Sequence, residues 1–547
     1  MTPGMAQTWT AGAAETDPPV RLRALLEGAG SLLPALMPDP AAIEELALNH
    51  GVCVRPLALK ATDSATGESA IVSVPCAARL AVKCPPCADR ARRLRVWQCV
   101  QGWHLDHETD LTGPGEGDAS DRPGDVNDPL TPDDGTTDDL DQDKARRVRS
   151  TRRRQDATDL PSRAMAPTTL GRVYTGADGK RFRPSMFVTL TLPSYGKVDQ
   201  DGTPEDPAGY DYDRAARDAL VFGRLVDRFV QNVRRVAGYR VQYFAAVEPQ
   251  RRLAMHVHLA IRGTISRSLL RQVVAATYHQ VWWPDITGLP PVYDARHRPD
   301  WDPNSNSGRG GYVDPDTRTP LTSWDQALDQ LDDRLDAGEP VQPWHVARFG
   351  TQVDAQGMLA GTPQADKRIG YLAKYLTKSI ADCHPTESVR QHQHLDRLTA
   401  ALSDLPCGPS CANWLRYGIQ PKHAKPDLIP GSCRGKAHRP DHLGYAGRRD
   451  LVSRQWSGKT LTQHRDERRD HVLTALGLDP ATVRAEDKTR ERWIWETTRH
   501  SDPDIPPIAQ RIWAGIVQAF RQRRDYQTAR DATAHDRSAI ALAPSAA

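Results

Sequence analysis

Residues Ala254–Ile261, reading AMHVHLAI, alternate between apolar and other side chains with a period of two. That period commits the segment to a β-strand, because a helix would scatter the same residues around its axis. Met255, Val257, Leu259 and Ile261 take one face, and His256, His258 and Ala260 take the other. Two imidazoles are thereby held side by side on the face opposite the packing face. A strand of this kind needs a sheet around it, and the flanking sequence supplies one.

Phe187–Leu192 (FVTLTL) also alternates and is rich in β-branched residues, a half-buried strand. Tyr212–Val236 carries Ala216, Leu220, Leu225, Phe229, Val233 and Val236 at helical spacing. Arg240–Glu248 alternates again, with a turn at Pro249–Arg252. Ser266 caps a helix carrying Leu269, Leu270, Val273, Val274 and Val281. The order β-α-β-β-α predicts an α+β fold, a ferredoxin-like antiparallel sheet with helices on one face.

The rest of the 547 residues divides around this core. Residues 1–105 read as an N-terminal region with a cysteine-rich, zinc-type module and a helix near Val20–Leu36. Residues 106–154 read as an acidic and then basic linker. Asp106–Asp143 has almost no bulky apolar residue, too little burial to offset the entropy of ordering, so disorder is expected there. The run Lys144, Arg146, Arg147, Arg149, Arg152, Arg153 and Arg154 is either a solvated arm or a contact for a polyanion. The core spans 183–382, interrupted by a Pro/Gly/Asp-rich insertion at 284–340 whose one helix is Thr322–Leu335. His345–Val353 reads as a further strand. A second cysteine-rich module covers 400–460, and 465–547 is a charged helical C-terminal region.

Neither a signal peptide nor a run of 18 apolar residues is present, which points away from a membrane and toward the cytoplasm. In that compartment nine cysteines are expected to bind metal or stay reduced. The net charge of +3 decides little, because the charges are segregated along the chain.

If the hairpin pivots near Arg252, Glu248 lies across from His256 on the same face. His256, His258 and Glu248 then make a three-ligand site with open positions. Mixed nitrogen and oxygen donors accept Mg²⁺, Mn²⁺, Co²⁺ or Zn²⁺. About a hundred residues on, Asp366–Ile380 has an apolar stripe of Ile369, Leu372, Ala373, Leu376 and Ile380. A separate polar stripe holds Tyr371, Lys374, Tyr375 and Lys378, which can present two phenols and two ammonium groups to a ligand. A tyrosine is a weak nucleophile at neutral pH, so a nearby cation has to favour its phenolate. In isolation, strand histidines are usually ordinary surface residues and helical tyrosines usually pack. Their combination favours the chemical reading.

Cys76, Cys84 and Cys87, with Cys99 following, have the short knuckle and later ligand of a structural zinc site. His104 or His107 could replace Cys99. Cys407, Cys411 and Cys433, with His438 or His442 nearby, form a second candidate. Basic residues surround both: Arg90, Arg92, Arg93 and Arg95 at the first, Lys422, Arg434, Lys436 and Arg439 at the second. Cys53 and Cys383 are left without a role.

At these motifs the sequence resembles the rolling-circle replication initiators of the HUH endonuclease superfamily, in particular those of actinobacterial plasmids. Phe187–Thr191 looks like their first motif, His256-Val257-His258 is similar to their histidine-hydrophobe-histidine motif, and Tyr371–Tyr375 to their tyrosine motif. The likeness covers about residues 183–382 and keeps the order of all three. It implies metal-dependent, strand- and site-specific nicking of plasmid origin DNA through a 5′-phosphotyrosine, leaving a free 3′-OH. It also implies Mg²⁺ or Mn²⁺ at the nicking site and possible structural Zn²⁺. In single-tyrosine relatives the nucleophile matches Tyr375 and a carboxylate stands at Tyr371, so Tyr375 ranks first and Tyr371 second. The C-terminal region either recruits a host helicase or adds DNA contacts. The rivals are a two-tyrosine transposase of the same superfamily, a zinc-dependent DNA-binding regulator without enzymatic activity, and a zinc hydrolase, which leaves the tyrosine helix unexplained.

Overall fold

The computed structural model describes residues 39–103, 105–108, 159–378, 382, 386–486, 493–498, 502 and 504–542. The helix expected at Val20–Leu36, the basic run 144–154, most of the acidic linker, His104, Ile380 and Cys383 lie outside the described residues. The chain forms two compact units, one of residues up to Asp89 with those from Glu467 onward, the other Arg90–Asp466.

In the larger unit the alternating segments become Ser185–Thr191 (β1), Tyr243–Pro249 (β2) and Met255–Ile261 (β3). Val353–Met358 (β4) and Asp450–Val452 (β5) complete a five-stranded sheet of order β4-β1-β3-β2-β5, antiparallel throughout. Between β1 and β2 runs the long helix α1, Tyr212–Ala237. The Asp211 side chain accepts from Arg214 N at its start, and Gly238 closes its end at φ 72°, a left-handed position that suits glycine. After β3 comes α2, Arg267–Ala276, capped by Ser266. Leu220, Phe222, Leu225, Phe229 and Val233 of α1 are buried with Val188, Leu190, Val257 and Leu259 of the sheet in one apolar core. Each such side chain contributes about 1.5–3 kcal/mol on burial.

Helices on one face was the expectation, and the structure corrects it. The opposite sheet face carries Phe187, Phe244, Ala246 and Ala260 beside the histidines, so it too must be covered. Ile369 and Leu372 of α3 (Pro363–Lys374) cover it, with Trp103, Met358 and Trp456. Every residue of β2 and β3 is buried in consequence.

Other differences are local. The helix after Ser266 stops at Ala276, and Val281 belongs instead to a strand, Tyr278–Val281, paired with His345–Arg348. The expected strand 345–353 is therefore two strands in two sheets, because Phe349–Gln352 turns the chain toward β4. A helix at Val389–Asp404 (α4) has a Ser388/Gln391 capping box that the sequence reading passed over. Cys407, Cys411 and Trp414 join the core that α1 packs into.

In the smaller unit, Leu57–Asp63 pairs with Ser69–Val74 on one side and Trp493–Thr497 on the other. Ile43 and Ala47 of helix Pro40–Asn49 are buried with Ile512, Trp513 and Ile516 of helix Ile508–Leu542. No helix among the described residues is long and apolar enough to cross a membrane.

Candidate metal and tyrosine site

The hairpin between β2 and β3 turns at Gln250–Leu253, with Leu253 at φ 61°. Arg252 pins it by donating to the carbonyls of Leu192 (2.7 Å) and Pro193 (2.8 Å) at the end of β1. The resulting register pairs Glu248 with His256 and Thr189 with His258. One oxygen, Glu248 Oε1, lies 2.7 Å from His256 Nε2 and 2.8 Å from His258 Nε2, and those nitrogens are 2.9 Å apart. His258 Nδ1 is 2.9 Å from Thr189 Oγ1, while His256 Nδ1 is buried without a partner.

If both imidazoles donate Nε2–H to Glu248, their two N–H groups face each other at 2.9 Å, so the three atoms cannot all be satisfied by shared protons. A cation relieves that crowding: adjacent ligands on an octahedron with bonds of about 2.1 Å sit about 3.0 Å apart. The protonation states suit the same ion. Burial alone would raise the Glu248 carboxyl, but hydrogen bonds from His256 and His258 outweigh it and hold the group at about 2. Burial also lowers His258, against the pull of Glu248, which favours the neutral imidazole a metal requires.

Helix α3 brings the tyrosines to this face. The Thr362 side chain caps it, and Ile369, Leu372 and Ala373 are buried. Tyr371 Oη is 3.4 Å from His258 Nε2, and the two rings are 4.8 Å apart. The helix ends at Lys374, so Tyr375 sits at its C-cap and not on a continuing helical stripe. The residue is 8% exposed, and its ring lies 5.3 Å from that of Tyr371 and 6.2 Å from that of His258. Burial raises both phenols, and the Glu248 carboxylate adds to the effect.

Cations ring these aromatics. Lys374 Nζ stands 5.5 Å over the Tyr375 ring and the Arg449 guanidinium 5.7 Å over it. Arg368 lies 4.9 Å over Phe187 and donates to Gln356. Lys378, in the turn beyond α3, offers its carbonyl to Arg449. Sequence reasoning missed Thr189, Arg368 and Arg449. Strand alternation carried the signal for Thr189, whereas Arg449 approaches from more than seventy residues downstream with no local signature.

Among the described residues, seven cysteines and His438 gather in two groups, each with ligand atoms within 4.8 Å of one another. Cys407, Cys411, Cys433 and His438 form one: Cys407 and Cys433 sulfurs are 3.8 Å apart, and Cys411 Sγ is 3.4 Å from His438 Nε2. The other is Cys53, Cys76, Cys84 and Cys87, with 3.8 Å between Cys53 and Cys84 sulfurs. A tetrahedral ion with bonds of about 2.3 Å spaces its sulfurs about 3.8 Å apart, so both groups could hold a structural metal such as zinc. The residue that joins Cys76, Cys84 and Cys87 is Cys53, not Cys99. Cys99 is buried among Trp103, Phe187 and Trp456, where desolvation pushes its thiol up. The 22 residues between Cys53 and Cys76 exceed a knuckle spacing, which hid the connection.

The family model described as the replication initiator protein of pSAM2, RepSA, matches residues 39–518. The chain belongs to this family of plasmid replication initiators. Comparison with curated proteins and comparison with solved structures each gave no match. The RepSA match runs through both units and both cysteine groups, not only through the segment bearing the histidines and tyrosines. Membership in a replication-initiator family favours the initiator reading over the transposase, regulator and hydrolase ones.

Proposed function

We propose that this RepSA-family chain binds plasmid origin DNA, then nicks and rejoins one strand through a tyrosine beside a divalent metal, on a ferredoxin-like HUH core. The observation that carries the reading is the convergence of His256, His258 and Glu248 with Tyr371 Oη against one of the imidazoles. The order β4-β1-β3-β2, with α1 and α2 in the two crossovers, supports the fold assignment. The proposed domains keep the sequence-based limits for the core, 183–382.

In this reading His256, His258 and Glu248 hold Mg²⁺ or Mn²⁺. When bound, such an ion polarises the scissile phosphate and offsets the charge of its transition state. With Glu248 committed to a cation, its carboxylate no longer opposes a phenolate at Tyr371 or Tyr375. Tyr375 attacks first: its oxygen–phosphorus bond forms as the phosphorus–O3′ bond breaks. The proton lost by the phenol is balanced by the one the 3′ oxygen gains. The 5′-phosphotyrosine keeps the energy of the broken phosphodiester, so rejoining needs no nucleotide, and the free 3′-OH primes synthesis. Tyr371 performs the second attack, on the newly made origin. Lys374, with Arg449, neutralises the phosphate beside Tyr375, and Lys378 serves the strand leaving it. Zinc at the two cysteine groups steadies the fold without taking part in chemistry. The C-terminal region is assigned to a host helicase or to further DNA contacts.

The test is to incubate the protein with Mn²⁺ and a supercoiled plasmid bearing its own origin. A nicked circle with protein on the 5′ end is expected. Tyr371→Phe with Tyr375→Phe should abolish that adduct while gel-shift binding of the origin survives. An adduct persisting in the double variant overturns the tyrosine assignment.

A further inference from the structure

Among the polar residues on the outer face of α1, four arginines form a row. Arg217, Arg224, Arg228 and Arg235 follow one another at intervals of seven, four and seven residues. At 100° per residue they fall within a sector of about 40°, a single row about 27 Å long. All four are partly exposed. This row lies on the sheet side away from His256 and His258, because α1 packs on the face carrying Val188, Leu190 and Val257.

At the middle of the row the surface opens into a cleft of about 330 Å³ between α1 and the strand Tyr278–Val281. Arg224 and Arg228 line one wall, with Asp227 between them; His279, Gln280 and Trp282 line the other. His279 Nδ1 is buried and has no hydrogen-bond partner. Burial, then Arg228 and Arg224, then His345, push this imidazole down to about 3, so it is a neutral ring with an unused polar atom. The cleft therefore combines two guanidiniums, an indole and a neutral imidazole ring in a recess.

We propose that this cleft binds a nucleotide of unpaired DNA, its phosphodiester held by Arg224 and Arg228 and its base set against Trp282 and His279. Guanidiniums match phosphate oxygens, and the flat faces of a splayed base stack on aromatic rings. A duplex keeps those faces covered, which is why the recess suits a single strand. Strand separation at an origin exposes such a strand, and a second anchor on the far side of the sheet gives the displaced portion a track away from the tyrosines. The inference rests on the chain's reading as an origin-DNA protein and not on the nicking chemistry.

Fluorescence anisotropy of the full-length protein with labelled oligothymidylate, over a range of salt concentrations, tests it. Two lost phosphate contacts on a single strand should lower the log–log salt slope by about 1.4 in Arg224→Ala/Arg228→Ala. That corresponds to binding about tenfold weaker near physiological salt. Arg224→Lys/Arg228→Lys should retain the slope, which separates lost charge from lost fold. Trp282→Leu should weaken binding while leaving the slope unchanged. Covalent adduct formed at saturating nick-site oligonucleotide should stay at the wild-type level in all three, so failure here and failure of the nicking reading are told apart. Unchanged affinity and slope in the double alanine variant overturn the proposal. A loss seen only with a mixed-sequence duplex overturns the assignment to unpaired DNA.

Discussion

Thr189 Oγ1 lies 2.9 Å from His258 Nδ1, across the register that pairs the two residues. That contact turns the imidazole so that Nε2 meets Glu248 Oε1. Orienting partners of this kind fix the ring that binds a metal and tune its affinity. Thr189→Val keeps the shape and removes the hydroxyl. Mn²⁺ affinity by calorimetry should fall about 10- to 100-fold, with nicking restored at high Mn²⁺. Unchanged affinity means the threonine does not orient the ring.

Glu248→Gln keeps the side-chain outline and removes the charge held at about 2. Mn²⁺ binding should drop below detection, and EDTA should do to the wild-type protein what the substitution does. Origin binding should persist in both cases, read by gel shift. If nicking continues undiminished in EDTA, the metal role is wrong.

The two phenols should separate functionally. Tyr375→Phe is expected to remove the first covalent adduct, by at least about 10³-fold, since Tyr375 is the phenol whose ring lies against Lys374 and Arg449. Tyr371→Phe should still form that adduct and stall at rejoining, so nicked circles with bound protein accumulate. Time courses on a gel read both. The reverse pattern assigns the first attack to Tyr371.

The cysteine groups give a prediction that distinguishes sequence from structure. Cys53→Ser should lower bound zinc from two ions per chain to one, measured by mass spectrometry of the metal, and unfold the smaller unit at lower temperature. Cys99→Ala should leave both ions in place and cost only about 1–2 kcal/mol for the trimmed apolar contact. Loss of zinc in Cys99→Ala restores the sequence-based ligand set.

The period-two pattern of Ala254–Ile261 was enough to place both imidazoles on one face, and the Pro249–Arg252 turn was enough to place Glu248 opposite His256. Such local rules carry the hairpin because strand alternation is a geometric necessity. They did not reveal that the histidine face is itself buried. Phe187, Phe244 and Ala246 share that face, but their cover comes from Trp103, Ile369, Leu372 and Trp456, far away in sequence. The end of α3 at Lys374 was equally hidden, since Tyr371–Lys378 keeps a helical period while the chain turns away. Cys53 escaped notice because its partners are fixed by tertiary return of the chain, which spacing does not encode.

The most direct measurement of the central claim uses the chain's own cleavage points. Trypsin cuts after Arg368, Lys374 and Lys378, so Tyr371 falls in Ile369–Lys374 and Tyr375 in Tyr375–Lys378. After nicking of an origin oligonucleotide in Mn²⁺ and nuclease trimming, mass spectrometry should find a 5′-linked nucleotide on Tyr375–Lys378. A nucleotide on a peptide bearing neither tyrosine, or cleaved DNA with no covalently modified peptide, contradicts the account.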